Sequence, residues 1–385
     1  MLFLKFGEDA GTIRNAKRPI SRFLVTTAVV LGFAGPSPAA AETRDFVVSW
    51  WMQAANSSKD DSDCPQGINP SLEELVRQQL LAVDIPKAEV ENAISVLNGG
   101  APPADVVDMI MYRGRHNGKP MHVYTFPSTV PDVPGMTRFN MGPEAYGFNL
   151  DGNSKTGYTE ADTKEAGIDN GFWRATGCFI SHRGSREKGP THGIMHWDLQ
   201  RDKQPAWAIR VVADDFTKDG DVTVSLYRAM ERVWRDANGD VRRYSTFRID
   251  PDKRWQSNTL KGKIKNGEVT VSGEQLHLLG DPYVLTDLDM NKAQFRFKLD
   301  ADGNLEGVLG GYIPWITIFY EYGSSGFTTE FMTGVNLPAM YWALRKSADG
   351  SPDPKTGENT TISSAYRVAA VPAFLVTKDQ NEARR

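Results

Sequence analysis

The chain has 385 residues, 40% of them apolar and 24% charged, and 44 Lys and Arg stand against 48 Asp and Glu for a formal net charge of -4. That length holds one large domain or two ordinary ones, and the charge argues against a strongly basic nucleic-acid binder. Nine Trp, 12 Tyr and 18 Phe argue against wholesale disorder, and two cysteines exclude both a disulfide-dense scaffold and a cysteine-only zinc site.

The first segment reads as a targeting sequence. Lys17, Arg18 and Arg22 precede the apolar run from Phe23 to Ala34, and Pro36-Ser-Pro38 leads to Ala39, Ala40 and Ala41. A basic n-region, a short h-region and a small-residue site predict a signal peptide over 1–41, cleaved to leave Glu42 first. The apolar run is too short to span a bilayer. Removing 1–41 takes away five basic and two acidic residues, which leaves a mature chain of 344 residues with 39 basic and 46 acidic, net -7. No later stretch reaches transmembrane length, so the expected location is a bacterial periplasm or the secreted space, with no membrane anchor in the mature chain. An oxidising compartment predicts a disulfide between Cys64 and Cys178, which also removes Cys178 as a nucleophile.

Residues 42–150 form an N-terminal segment. Phe46 to Trp51 reads as a short strand or a packed edge, and on a strand Trp50 and Trp51 would face opposite ways. Asn69 or Ser71 caps a helix whose stripe is Leu72, Leu75, Val76 and Leu80, and further helices fit Lys87 to Leu97 and Pro103 to Tyr112. Together they predict a small helical subdomain over 65–115.

Residues 151–330 are expected to be an antiparallel β-rich core. Strand candidates are Ala208 to Val212, Val222 to Leu226, Tyr244 to Ile249, Val269 to Val271 and Ala293 to Leu299. Asp236–Asp240 and Asp300–Asn304 read as hairpin turns. Leu260 to Ser272 and Phe297 to Gly311 each resemble a strand, a tight glycine turn and a returning strand. Ile316 to Tyr322 reads as an apolar, aromatic strand. Residues 331–385 add a helix near Leu337 to Lys346, an apolar run from Ala365 to Val376 and a loose tail from Lys378. The predicted class is mainly β with a small N-terminal helical subdomain, its core an antiparallel sandwich or open barrel.

Four sets of residues carry candidate chemistry. His182, His192 and His196 lie within fifteen residues, and with Asp198 they supply the donors of a zinc or copper site. Asp151, Asn153, Thr159 and Asp162 supply oxygens for calcium, although Lys155, Thr156 and Asp162 depart from the EF-hand pattern, and Asx turns explain the same residues. Tyr312 and Trp315, after Gly310-Gly311, are candidates for lining a ligand groove. Carboxylates for glycoside chemistry are abundant (Glu160, Asp169, Asp198, Glu231, Glu306, Glu321) and nothing in the sequence pairs two of them. There is no Gly-x-Ser-x-Gly elbow, no phosphate-cradling loop and no dinucleotide fingerprint.

Two readings follow. In the first, the protein is an exported binding or accessory module, stabilised by calcium and one disulfide and partnering a periplasmic redox protein. In the second, it is a zinc- or copper-dependent enzyme using the histidine cluster. A glycoside-acting enzyme is the lesser alternative. Nucleic acid is not an expected partner.

Overall fold

The computed structural model describes residues 41–97, 104–185, 189–193, 197, 201–255, 258–279 and 287–377. The expected leader up to residue 40 and the tail 378–385 lie outside the described residues.

Eight long strands carry the fold: β1 (Glu42–Gln53), β2 (Pro205–Ala213), β3 (Gly220–Arg232), β4 (Thr259–Lys265), β5 (Glu268–Leu279), β6 (Asp287–Leu299), β7 (Leu305–Pro314) and β8 (Asn359–Pro372). Each pairs antiparallel with the next, and β8 returns to β1, so the sheet closes into a barrel. Closure removes both open edges. The fold class is therefore mainly β as expected, with a closed barrel as its core.

Inside-outside alternation built this wall. Ile209 and Val211 of β2, Val222, Val224 and Leu226 of β3, Phe295 and Phe297 of β6, and Val368 and Ala370 of β8 share one core. Each large side chain buried there contributes about 1.5–3 kcal/mol. A bulge between Val48 and Trp50 shifts the register of β1 against β8. Beyond it Trp51 is 1% exposed and packs edge-on against Trp207 at 4.4 Å, whereas Trp50 stays partly exposed. The two indoles do face opposite ways.

The two ends of the barrel differ. One end carries short turns: 214–219, Asn266-Gly267 and 300–304. At the other, residues 54–204 connect β1 to β2, 233–258 connect β3 to β4, and 315–358 connect β7 to β8. The first of these holds the helical subdomain, α1 (Leu72–Ala82), α2 (Lys87–Leu97) and α3 (Ala104–Met111). Ser71 Oγ accepts from Glu74 N and caps α1, and Val76, Leu80, Val90, Ile94, Val106 and Ile110 form its own small core. The same connection carries α4 (Gly171–Thr176). It starts at a glycine because a Cβ on Gly171 would stand 2.5 Å from the Ser347 carbonyl oxygen. Cys64 and Cys178 are joined, with Cα atoms 5.8 Å apart, as the oxidising-compartment argument expected.

The last connection contains α5 (Trp315–Gly323), α6 (Gly326–Thr333) and α7 (Leu337–Ser347). Here the expected strand Ile316 to Tyr322 is a helix. Trp315, Ile318, Phe319 and Tyr322 recur at helical spacing, and Ile318, Phe319 and Tyr322 are buried on that face. Gly310 and Gly311, expected in a turn, lie within β7 and pair with Ala365 and Ser364. The expected strand Tyr244 to Ile249 shrinks to Thr246–Arg248, which pairs in parallel with Phe374–Val376 outside the barrel. No helix among the described residues is long and apolar enough to cross a membrane.

Candidate functional site

Two of the four candidate metal ligands meet. His182 ends a short 3-10 turn, Ile180–His182, and is fully buried, and His192 sits in the turn Thr191–Gly193. Their rings stack at 4.6 Å and 18°, Tyr322 of α5 stacks on His192 at 4.6 Å, and His182 Nε2 lies 2.9 Å from Tyr322 Oη. Lone pairs on imidazole nitrogens lie in the ring plane. Two nearly parallel rings therefore send them side by side, so this arrangement is ring packing with a polar edge. His196 and Asp198 lie outside the described residues. Among the described residues no group of three His, Cys, Asp or Glu side chains is placed to hold a metal. The strand assignment for 316–322 hid Tyr322; its helical spacing was the available signal.

Two of the four calcium candidates, Asp151 and Asn153, use a side-chain oxygen within their own loop. Asp151 Oδ1 accepts from Asn153 N at 2.7 Å, Asn153 Oδ1 from Lys155 N at 3.1 Å, and Asp169 Oδ2 from Leu150 N and Asp151 N. Thr159 lies in the short strand Tyr158–Glu160. Asp162 N and Thr163 N donate to Glu160 Oε2, whose Oε1 accepts from Arg296 Nη2 at 2.7 Å. These are turn-forming bonds of the Asx type. Burial pushes the Asp169 carboxyl up, against the pull of its two backbone donors.

Tyr312 and Trp315 part company. Tyr312 packs on the outer wall with Tyr146 and Phe148, while Trp315 opens α5 and meets Tyr341 edge-on at 5.3 Å. The glycoside candidates are similarly dispersed. Glu160 is held by Arg296 and Glu231 by Arg248, and Glu321 is buried on α5. A pair the sequence reading missed is His277 with Asp289, directly opposite on β5 and β6. His277 Nδ1 lies 2.5 Å from Asp289 Oδ1, and the imidazole stacks on Trp255 at 4.9 Å and 5°. Only the pairing register brings them together.

A recess among the described residues lies on the outer wall of β1 and β8. It encloses about 310 Å³ and is lined by Trp50, Gln53, Ser185, Gly189, Glu306 and Arg367 among others. The backbone at Gly189 lies so close to the indole that a Cβ there would stand 3.0 Å from Trp50 Cζ2. Arg367 Nη2 donates to Glu306 Oε1, and the guanidinium lies 5.5 Å over the Tyr146 ring. Its Nη1 is covered and has no hydrogen-bond acceptor among the described residues. A second cavity of about 660 Å³ lies against the same Arg367 and Glu306 and is also lined by Tyr146, Arg296 and Lys298. Both volumes fall within the roughly 300–1,000 Å³ of small-molecule clefts.

The class defined by this architecture is a closed eight-stranded antiparallel barrel, one end buried under helical insertions, with a polar and aromatic groove on its wall. Comparison of the chain with protein-family models, curated proteins and solved structures returned no match.

Proposed function

We propose that the mature chain is an exported binding or accessory protein whose ligand site is the groove between Trp50 and the Arg367–Glu306 pair. The observation that carries this reading is the partly buried guanidinium of Arg367. Its Nη2 is bonded to Glu306, and its covered Nη1 has no acceptor among the described residues, at the wall of a recess of ligand size. An unmet buried donor costs about 1–3 kcal/mol, more when charged, and a ligand oxygen offsets that cost.

Export rests on the leader pattern and on two supporting facts. Barrel pairing begins at Glu42, the residue that predicted cleavage leaves first, and Cys64 and Cys178 are joined. A periplasmic or secreted location in a bacterium follows from the leader, and a periplasmic redox protein remains the partner of choice for the accessory role.

Amino-terminal sequencing of protein recovered outside the cytoplasm tests the export half and should begin at Glu42. Thermal-shift screening of the mature protein against small polar molecules tests the binding half. A ligand should raise the Tm of the wild type and leave Trp50→Ala unmoved; ligands that stabilise both equally place the site elsewhere.

A second reading, a zinc- or copper-dependent enzyme, draws on the proximity of His182 and His192, whose stacked rings would have to part for their nitrogens to converge on a metal. With His196 and Asp198 they would form the ligand set. Elemental analysis of purified protein decides it: one zinc or copper per chain, lost in the His182→Ala/His192→Ala variant, supports it, and neither metal at stoichiometry removes it. The same measurement reads out calcium at Asp151, Asn153, Thr159 and Asp162.

A further inference from the structure

We propose that the Trp50 groove takes a neutral saccharide chain, which runs from the indole across the Arg367–Glu306 pair into the neighbouring cavity beside Tyr146. This deepens the binding reading above and rests on it.

The shape comes first. The two cavities share Arg367 and Glu306, so both border that ion pair, and a chain crossing it runs from one to the other along the outer barrel wall. Such a path fits a chain of units better than a single compact molecule. Trp50 forms one end of it, its indole backed by the Gly189 backbone, and Tyr146 lines the larger cavity beneath the Arg367 guanidinium.

Charge then selects the ligand. Arg367 and Glu306 cancel at the centre. In the larger cavity, Arg296 is paired with Glu160 at 2.7 Å and Lys298 with Glu268 at 3.2 Å. Asp162 and Asp300 add negative charge to the same lining, so among the described residues no positive charge is left over for an anion, and an anion beside Arg367 also meets Glu306 at close range. A wholly apolar ligand would bury the paired charges without hydrogen bonds, which is costly. A sugar ring meets both demands. Its C–H face is apolar and lies flat on an indole such as that of Trp50, and its rim hydroxyls both donate and accept. One hydroxyl can accept from Arg367 Nη1 once the guanidinium turns toward the cavity, and its neighbour can donate to the Glu306 carboxylate.

The test is calorimetric titration of the mature protein at pH 7 with maltohexaose, cellohexaose, xylohexaose and N-acetylchitohexaose. A parallel panel contains succinate, glutamate, benzoate and a neutral tripeptide. At least one hexasaccharide should bind, its monosaccharide should bind at least tenfold more weakly, and Trp50→Ala should weaken the hexasaccharide at least tenfold. Trp50→Phe should recover part of that loss, and near-UV circular dichroism identifies any variant that has failed to fold. Binding of a member of the second panel alone, with the same dependence on Trp50, overturns the saccharide while leaving the binding site standing. Hexasaccharide binding indifferent to Trp50→Ala and Arg367→Lys places the sugar elsewhere and overturns the proposal. Binding by neither panel removes both the saccharide and the groove.

Discussion

The turn end and the capped end of the barrel are held by interactions of different range. At the turn end the determinants sit within a few residues of each other. Asn266 and Gly267 both adopt positive φ, 51° and 75°, the geometry of a two-residue type I′ hairpin. Asp300 Oδ1 accepts from Asn304 N at 2.8 Å, and Asp215 Oδ1 from Thr217 N at 2.8 Å. At the capped end the partners are distant in sequence. Arg113, at the end of the helical subdomain, meets Glu330 of α6 at 2.7 Å with neither side chain exposed. Glu330 also accepts from Tyr124 Oη and Leu337 N, and Gln79 of α1 donates to Asn336, which caps α7. This buried network joins the helical subdomain to the last connection. Local chemistry shapes one end and long-range pairing the other, so substitutions at the two ends should differ in cost.

The largest effect is expected where the long-range pairing is buried. Glu330→Ala leaves Arg113 charged, fully buried and short of its main partner. Removal of one member of such a pair costs about 3–5 kcal/mol. Equilibrium denaturation should show that loss, and Glu330→Gln should recover part of it through its amide oxygen. A cost below about 1 kcal/mol for Glu330→Ala would mean that the network does not hold the caps.

Next comes the disulfide, which spans 114 residues of sequence. Loss of a native disulfide costs about 2–5 kcal/mol, and Cys64→Ser/Cys178→Ser should lower the denaturation midpoint accordingly. Thiol titration of the wild type without reductant should find neither cysteine reactive.

Beside the disulfide, Asp63 gives a pH-dependent test. Burial would raise its carboxyl, but hydrogen bonds from Arg183 and Ser58, together with the Arg183 charge, outweigh that and hold it below the ordinary range. A depressed carboxyl stabilises the fold fully above its unfolded value near about pH 4, and the contribution is lost as pH falls through the lower folded value. Asp63→Asn should therefore lose stability at pH 7, by about 1–3 kcal/mol, and should fall less steeply than the wild type below about pH 4. Parallel curves for the two proteins in acid would remove Asp63 from the account.

The same contrast of range explains what could be read from the sequence. The α1 stripe placed Leu75, Val76 and Leu80 inward, and the bounds Lys87–Leu97 of α2 follow from local pattern. The hairpins at 266–267 and 300–304 carry turn chemistry in a few residues. Closure was not legible, because β1 and β8 lie more than 300 residues apart and no local signal marks their pairing. Continuous apolar character at 316–322 satisfied a strand as well as a helix. The site followed the same rule. Adjacency placed Trp50 and Trp51 on opposite faces, but Arg367 and Glu306 reach Trp50 only through the β1–β8 and β7–β8 pairings. Tyr312 and Trp315, the groove residues expected from local pattern, are separated by the strand-to-helix boundary.

The smallest effect should come from the turn end. Asn266→Ala places a Cβ-bearing residue without an amide side chain at φ 51°, where the cost is about 1–2 kcal/mol in a helical context and less in a solvent-exposed hairpin. Asn266 N also donates to Asp219 Oδ1 at 2.8 Å, a backbone bond that survives the substitution and limits the loss. Asn266→Gly meets the same φ without strain and should lie within about 0.5 kcal/mol of the wild type. Denaturation midpoints for the pair should therefore rank Gly near the wild type and Ala just below it, both well above Glu330→Ala. If Asn266→Ala proved as damaging as Glu330→Ala, the turn end would be coupled to the caps through the barrel, and the division between local and long-range construction would fail.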